Sequence, residues 1–168
     1  MAWAKNGTSN TLGSAGDVLE ITDLTAKQFN QFMSNVLIEG SSTTLTANYT
    51  FDNDANSVYS SRSSYNGASD GTVTADTNSG TIFQTLDTAG EVAFQILYTC
   101  AIVGEEKLSI CFNVDNDAGT SATVAPNRRE IVFKYVPSPD ATITSIEFDN
   151  IGTGNYATDS NLSAIGTD

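Results

Sequence analysis

The chain contains no histidine. That absence removes the commonest general base, and with it the Ser-His-Asp and Cys-His arrangements and nearly every zinc site built on imidazole. Cysteine is almost as scarce: Cys100 and Cys111 are the only two, too few for a four-thiolate metal site. Seven basic residues face twenty acidic ones, for a net charge of −13. Lys5, Lys27, Arg62, Lys107, Arg128, Arg129 and Lys134 are spread along the chain rather than clustered. Counterion release needs grouped cations, so no nucleic-acid partner is expected. The adjacent Arg128 and Arg129 read as surface partners for nearby acids. The same acidity favours solubility and opposes binding to anionic membranes. No glycine motif for nucleotide phosphates occurs. The opening MAWAKNGTSNTLGSAGD lacks an apolar signal-peptide core and no run approaches membrane-spanning length, so folding in the cytoplasm without membrane insertion is expected.

What is present is the composition of a β protein. The polar fraction is dominated by Ser, Thr, Asn, Asp and Gly, which favour strands and turns over helices. At 168 residues the chain is long enough for one domain with a real core. Residues 18–168 are read as that domain, and residues 1–17 as an extended N-terminal arm that would fray in an isolated copy and become ordered across a neighbouring one. Trp3 is its single large aromatic and the candidate assembly residue.

Alternation is strongest in EVAFQILYTCAIV, where Val92, Phe94, Ile96, Tyr98, Cys100 and Ile102 share one face, and in KLSICFNV, where Leu108, Ile110, Phe112 and Val114 do. Both apolar rows are expected in the core, joined by a hairpin through VGEEK. Keeping the rows together sets Ile102 opposite Leu108, Cys100 opposite Ile110 and Tyr98 opposite Phe112. Cys100 then points inward and Cys111 away, which predicts two free thiols. Further strands are expected in DVLEIT, TLTANYTF (Leu45, Ala47, Tyr49, Phe51 inward), REIVFKYV (Ile131, Phe133, Tyr135 inward), ATITSIEF and NLSAI, separated by turn clusters such as NGASDG, DTNSG, VPSPD and GTGN. In LTAKQFNQFMSNVLIEG, Thr25 with Gln28 resembles a helix-capping box, and one short helical turn near residues 25–30 is expected before the chain becomes a strand. Many short strands with turns about every ten residues predict an all-β, antiparallel sandwich of jelly-roll type.

Two segments carry a resemblance. YTFDNDANSVYSSR is similar to a mid-chain signature, and KYVPSPDATITSIEFDNIGTGNYATDSNLSAIG to the C-terminal pattern, of jelly-roll virion structural proteins of tailed phages and archaeal viruses. The chain departs from them at Thr50, where a basic residue is usual, and at Tyr135, where a tryptophan is. The resemblance implies a non-enzymatic module of a virion, as head decoration, fibre or appendage component, in homo-oligomers and in contact with other virion proteins. A receptor- or glycan-binding module is the alternative, and a self-assembling cell-surface or filament subunit a second.

Site chemistry centres on FDNDANSVYSSR. Asp52, Asp54 and Asn56 at alternate positions could offer three oxygens to Ca²⁺, as could Asp115 with Asp117, but Ser63 stands where an EF-hand needs its bidentate acid. Such residues also hydrogen-bond their own backbone in turns, so strand-end turns without a cofactor are the reading adopted. Tyr59 and Tyr65, in polar contexts, are the candidate contacts for a host-surface glycan. Glu105 and Glu106 lie on a predicted exposed turn with nothing apolar to raise a carboxyl pKa, so no catalytic role is assigned.

Overall fold

Hydrogen-bonded β-ladders absorb most of the chain in a computed structural model, which describes residues 2–40, 45–76, 91–116, 122–137 and 142–168 and the backbone of 81–86. Asp117, most of DTNSG and most of VPSPD lie outside the described residues. The strands are β1 (Ala4–Lys5), β2 (Asn10–Thr11), β3 (Val18–Ile21), β4 (Phe29–Leu37), β5 (Leu45–Phe51), β6 (Tyr59–Tyr65), β7 (Gly71–Asp76), β8 (Thr81–Leu86), β9 (Val92–Cys100), β10 (Lys107–Asp115), β11 (Asn127–Tyr135), β12 (Ile146–Asn150) and β13 (Asn161–Thr167). Two antiparallel sheets result. The large one runs β1-β13-β4-β9-β10-β11-β6-β7, with β2 also on β13, and the small one runs β3-β12-β5-β8.

The sheets enclose a core to which the small sheet gives Leu19, Ile21, Leu45, Tyr49, Phe51, Ile146 and Phe148. The large sheet answers with Phe32, Val36, Leu97, Ile131, Phe133, Tyr135 and Leu162. Phe51 is central, its ring centroid 6.1 Å from those of Phe32 and Phe133 and 5.7 Å from that of Tyr135. The inward rows expected for TLTANYTF and REIVFKYV are therefore the observed ones.

Three expectations need correction. No helix occurs among the described residues; Phe29 and Asn30 already belong to β4, and residues 22–27 are irregular. The amides that a helix cap would have bonded are taken by distant side chains, Thr25 N donating to Asn6 Oδ1 at 2.8 Å and Gln28 N to Asp168 Oδ1 at 3.4 Å. Long-range bonds replace the local ones, so the helical turn has nothing to hold it.

The N-terminal arm is extended but belongs to its own sheet, with β1 and β2 both paired to β13. Asn6 is buried and donates to Thr25 O and Asn30 Oδ1. Gly7 follows at φ 78°, where an added Cβ would stand 2.6 Å from Ile21 Cγ2. Thr8 then donates through its amide and its hydroxyl to Asp23, each at 2.7 Å. This stitching covers the edge of β13, which would otherwise offer unpaired backbone groups.

The third correction concerns β9 and β10. Their register is Leu108↔Cys100, Ile110↔Tyr98 and Phe112↔Ile96, two residues from the expected one. More consequentially, the apolar rows face out. Directly opposed residues lie on the same side of a sheet, and the pairs Cys111↔Ile131 and Ser109↔Phe133 tie the parity of β10 to that of β11. Because Ile131, Phe133 and Tyr135 turn inward, so do Lys107, Ser109, Cys111 and Asn113. Both thiols are free, as expected, but with sides exchanged: Cys111 is buried and Cys100 is half-buried on the outer face.

Candidate functional site

FDNDANSVYSSR forms a strand-end turn. Asp52 and Asn53 both have positive φ, 54° and 52°, and Asp54 N donates to Phe51 O at 2.9 Å. This is a type I′ turn, whose two left-handed positions suit Asp and Asn. Asp52 Oδ1 accepts from Thr144 N at 2.7 Å, Thr144 Oγ1 at 2.9 Å and Ser145 N at 2.9 Å, tying the turn to the segment before β12. Asp54 Oδ1 accepts from the amide and side chain of Asn56, and its Oδ2 from the Tyr135 hydroxyl at 3.2 Å. Asp52 Oδ1 and both Asp54 oxygens, which could have been offered to a cation, are thus turned toward protein donors. Among the described residues no group of three or more His, Cys, Asp or Glu side chains converges. Asp115, from the second repeat, accepts from Asn127 Nδ2 at 2.9 Å.

Tyr59 is fully buried, not a surface contact for sugar. Its ring stacks on Tyr135 at 4.9 Å, and its oxygen accepts from Phe51 N at 2.9 Å while lying 3.3 Å from Phe51 O. The polar run SSRSS suggested a surface strand, yet the first residue of β6 still reaches under the small sheet. Burial pushes the Tyr59 and Tyr135 phenols well above their ordinary range, with each other's company and the nearby aspartates adding to Tyr135. Tyr65, at the far end of β6, is exposed beside the Asn66–Gly67 turn, with the Arg129 guanidinium 5.9 Å from its ring centre. Arg129 itself is buried, unlike its exposed neighbour Arg128, which lies 3.9 Å from Glu130.

Apolar rows expected in the core instead line the surface. On the outer face of β9 and β10, Phe94, Tyr98, Leu108, Ile110 and Phe112 are between 41% and 57% exposed. In-register rows continue this face across neighbouring strands: Gln31↔Tyr98, Tyr98↔Ile110, Ile110↔Val132 and Val132↔Arg62. A trough of about 710 Å³ crosses these strands, lined by Trp3 and Phe29 at one end and by Tyr98, Leu108, Ile110 and Val132 along its floor. With strands about 4.8 Å apart, it spans roughly 24 Å between β4 and β7. Trp3, the candidate assembly residue, is half exposed at its end.

Beneath this face the sandwich is unusually polar. Gln95, Thr99, Ser109 and Asn113 are all buried on the inner side. Thr99 and Ser109 share a 2.9 Å hydrogen bond, whereas the side-chain amides of Gln95 and Asn113 find no partner among the described residues. Lys107 is buried at the strand end and folds back on its own hairpin, donating to Ile102 O and Glu105 O at 2.7 Å each.

Charge on the outer face is balanced locally. Lys134 pairs with Glu106 and Arg62 with Asp70, each at 3.2 Å. The outer face of the small sheet is different: Glu20 stands opposite Glu147, and Asp149 follows two residues on. Burial, then Asp149 and Glu20, hold the Glu147 carboxyl above its ordinary range; burial, then Asp17, does the same for Asp149.

No family model, no curated protein and no solved structure matches the chain.

Proposed function

We propose that the chain is a non-enzymatic structural subunit of a virion, a jelly-roll module serving as capsid decoration, fibre or appendage component and assembling through repeated contacts with its own copies and with other virion proteins. One observation carries the assembly part of this reading: the sandwich has an apolar outer face on the large sheet and an acidic outer face on the small one. A contiguous apolar patch at the upper end of what a monomer exposes, about 300 to 600 Å², often marks an interaction surface. The virion part rests on the resemblance, whose motif residues serve as framework here. Phe51 packs the core, and Asp52 ties the turn that follows it to Thr144. A glycan-binding role would rest on Tyr65 and the Asp52 to Asn56 loop, since Tyr59 is buried.

Electron microscopy of the purified protein tests the reading. Ordered oligomers or extended arrays of regular repeat are expected; dispersed single copies at high concentration contradict it.

A further inference from the structure

We infer that the apolar outer face of the large sheet is the contact between copies, covered by the same face of a second copy of this chain. The inference rests on the assembly reading and names the surface that carries it.

The first argument is area. Phe94, Tyr98, Leu108, Ile110, Phe112 and Val132 are each about half exposed. Half of the ~200 Å² that a large side chain can bury, taken six times, gives roughly 500 to 600 Å² of apolar surface. That already equals the largest patch on a typical monomer. With its polar surroundings it approaches the ~800 Å² per partner of a standard specific interface. The face extends beyond the trough, since Phe94 and Phe112 lie outside the trough's lining. A small ligand in the trough would leave them exposed, whereas a second sheet would cover them.

Charge is the second argument. A chain of net charge −13 repels its own copies over most approaches. The outer face of the small sheet, with Glu20, Glu147 and Asp149, is among the worst of these. The outer face of the large sheet is the exception, because its cations sit beside acids of the same copy. Two copies meeting there bring neutral surfaces together and leave the acidic sheets pointing away, in the self-complementary arrangement of a two-fold dimer. A second copy is also the one partner always present at matching concentration, and an anionic bilayer is disfavoured by the net charge.

The test is sedimentation velocity on the intact chain between about 1 and 100 µM, with three variants checked for fold by circular dichroism. Wild type should sediment as a dimer or larger species. Ile110→Glu should weaken self-association at least ~100-fold, as expected for a charge forced into an interface centre. Tyr98→Ser, which adds no charge, gives a second probe of the same face should Ile110→Glu fail to fold. Val18→Glu, on the opposite face, should change nothing. Wild type monomeric throughout overturns the assembly reading and the inference with it. Assembly that survives both Ile110→Glu and Tyr98→Ser, or is lost equally in Val18→Glu, overturns the inference and leaves the assembly reading standing.

Discussion

The two outer faces of this sandwich obey opposite rules. On the small sheet the outward residues Glu20, Glu147 and Asp149 are acidic and half-buried, the polar face expected of an antiparallel sheet packed on one side. On the large sheet, the positions that should be polar are Phe94, Tyr98, Leu108, Ile110 and Phe112, and the positions beneath them, Gln95, Thr99, Ser109 and Asn113, are the polar ones. The difference teaches that the strongest hydrophobic alternation in a chain does not have to mark its core. Here the core draws its bulk from the small sheet and from β4 and β11, which leaves the inner side of β9 and β10, Leu97 apart, to small and polar groups.

The comparison breaks most readily at the core. Phe51→Ala, which removes a ring touching Phe32, Phe133 and Tyr135, should cost about 3 to 5 kcal/mol in urea unfolding. On the outer face, Leu108→Ala should change monomer stability by no more than about 0.5 kcal/mol. Equal losses at the two positions would show that Leu108 is buried within the copy.

A smaller effect sharpens the contrast from inside. Gln95 carries a buried amide with no partner among the described residues. Gln95→Leu should therefore be neutral or raise stability by about 1 kcal/mol, since replacing an unsatisfied buried group removes its desolvation cost. A loss of stability would mean that the amide is bonded.

Similar in size is the turn at Asp52. Asp52→Ala removes an acceptor for three donors and should cost about 1 to 2 kcal/mol. A chelator should leave the melting temperature of the wild-type protein unchanged; a clear drop would assign Asp52, Asp54 and Asn56 to a cation after all.

The smallest effects are with pH. The Thr8 hydroxyl and amide hold the Asp23 carboxyl below its ordinary 3.8. A depressed carboxyl contributes stability above its unfolded value and loses it as pH falls through the folded one. Tethering of the arm should therefore persist through mild acid and loosen only below about pH 4, read by exchange of the Thr8 amide. Glu147 and Asp149 act in reverse. Their raised folded values mean that the native state binds protons more readily than the unfolded one, so the strain among these acids is relieved as pH falls from neutral through those values. Glu147→Gln should remove the Glu147 share of that gain and leave the Asp149 share.

Much of this architecture was legible. The alternation in TLTANYTF and REIVFKYV identifies both strands and their inward faces, because large apolar residues there alternate with Asn, Thr, Glu or Lys at every intervening position but Val132. In EVAFQILYTCAIV and KLSICFNV the same rule locates the strands but misses the side. A period of two says that alternate residues share a face and is silent on which face is covered. That choice is made by Ile131 and Phe133 through their pairing with Cys111 and Ser109, information that sits in another strand. Tyr59 escaped for a related reason: β6 is polar along most of its length, and only its first residue reaches the Tyr135 ring. The helical spacing of Phe29, Phe32, Met33 and Val36 was outweighed by ladders of nine residue pairs with β9 and seven with β13 and by the bonds to Asn6 and Asp168. The turn reading of Asp52 and Asp54 needed only local chemistry, whereas their ties to Thr144, Ser145 and Tyr135 come from distant segments and were not legible.

Sidedness of the β9–β10 hairpin is the claim on which the rest depends, and the two cysteines report it directly. The apolar-core reading places Cys100 inside and Cys111 outside; the structure places Cys111 inside, where burial pushes its thiol up to about 12, and leaves Cys100 half-buried on the outer face. Alkylation of the native protein at high dilution, with the modified residue identified by peptide mass, should label Cys100 and spare Cys111 until denaturant is added. Labelling of Cys111 with protection of Cys100 would contradict the account.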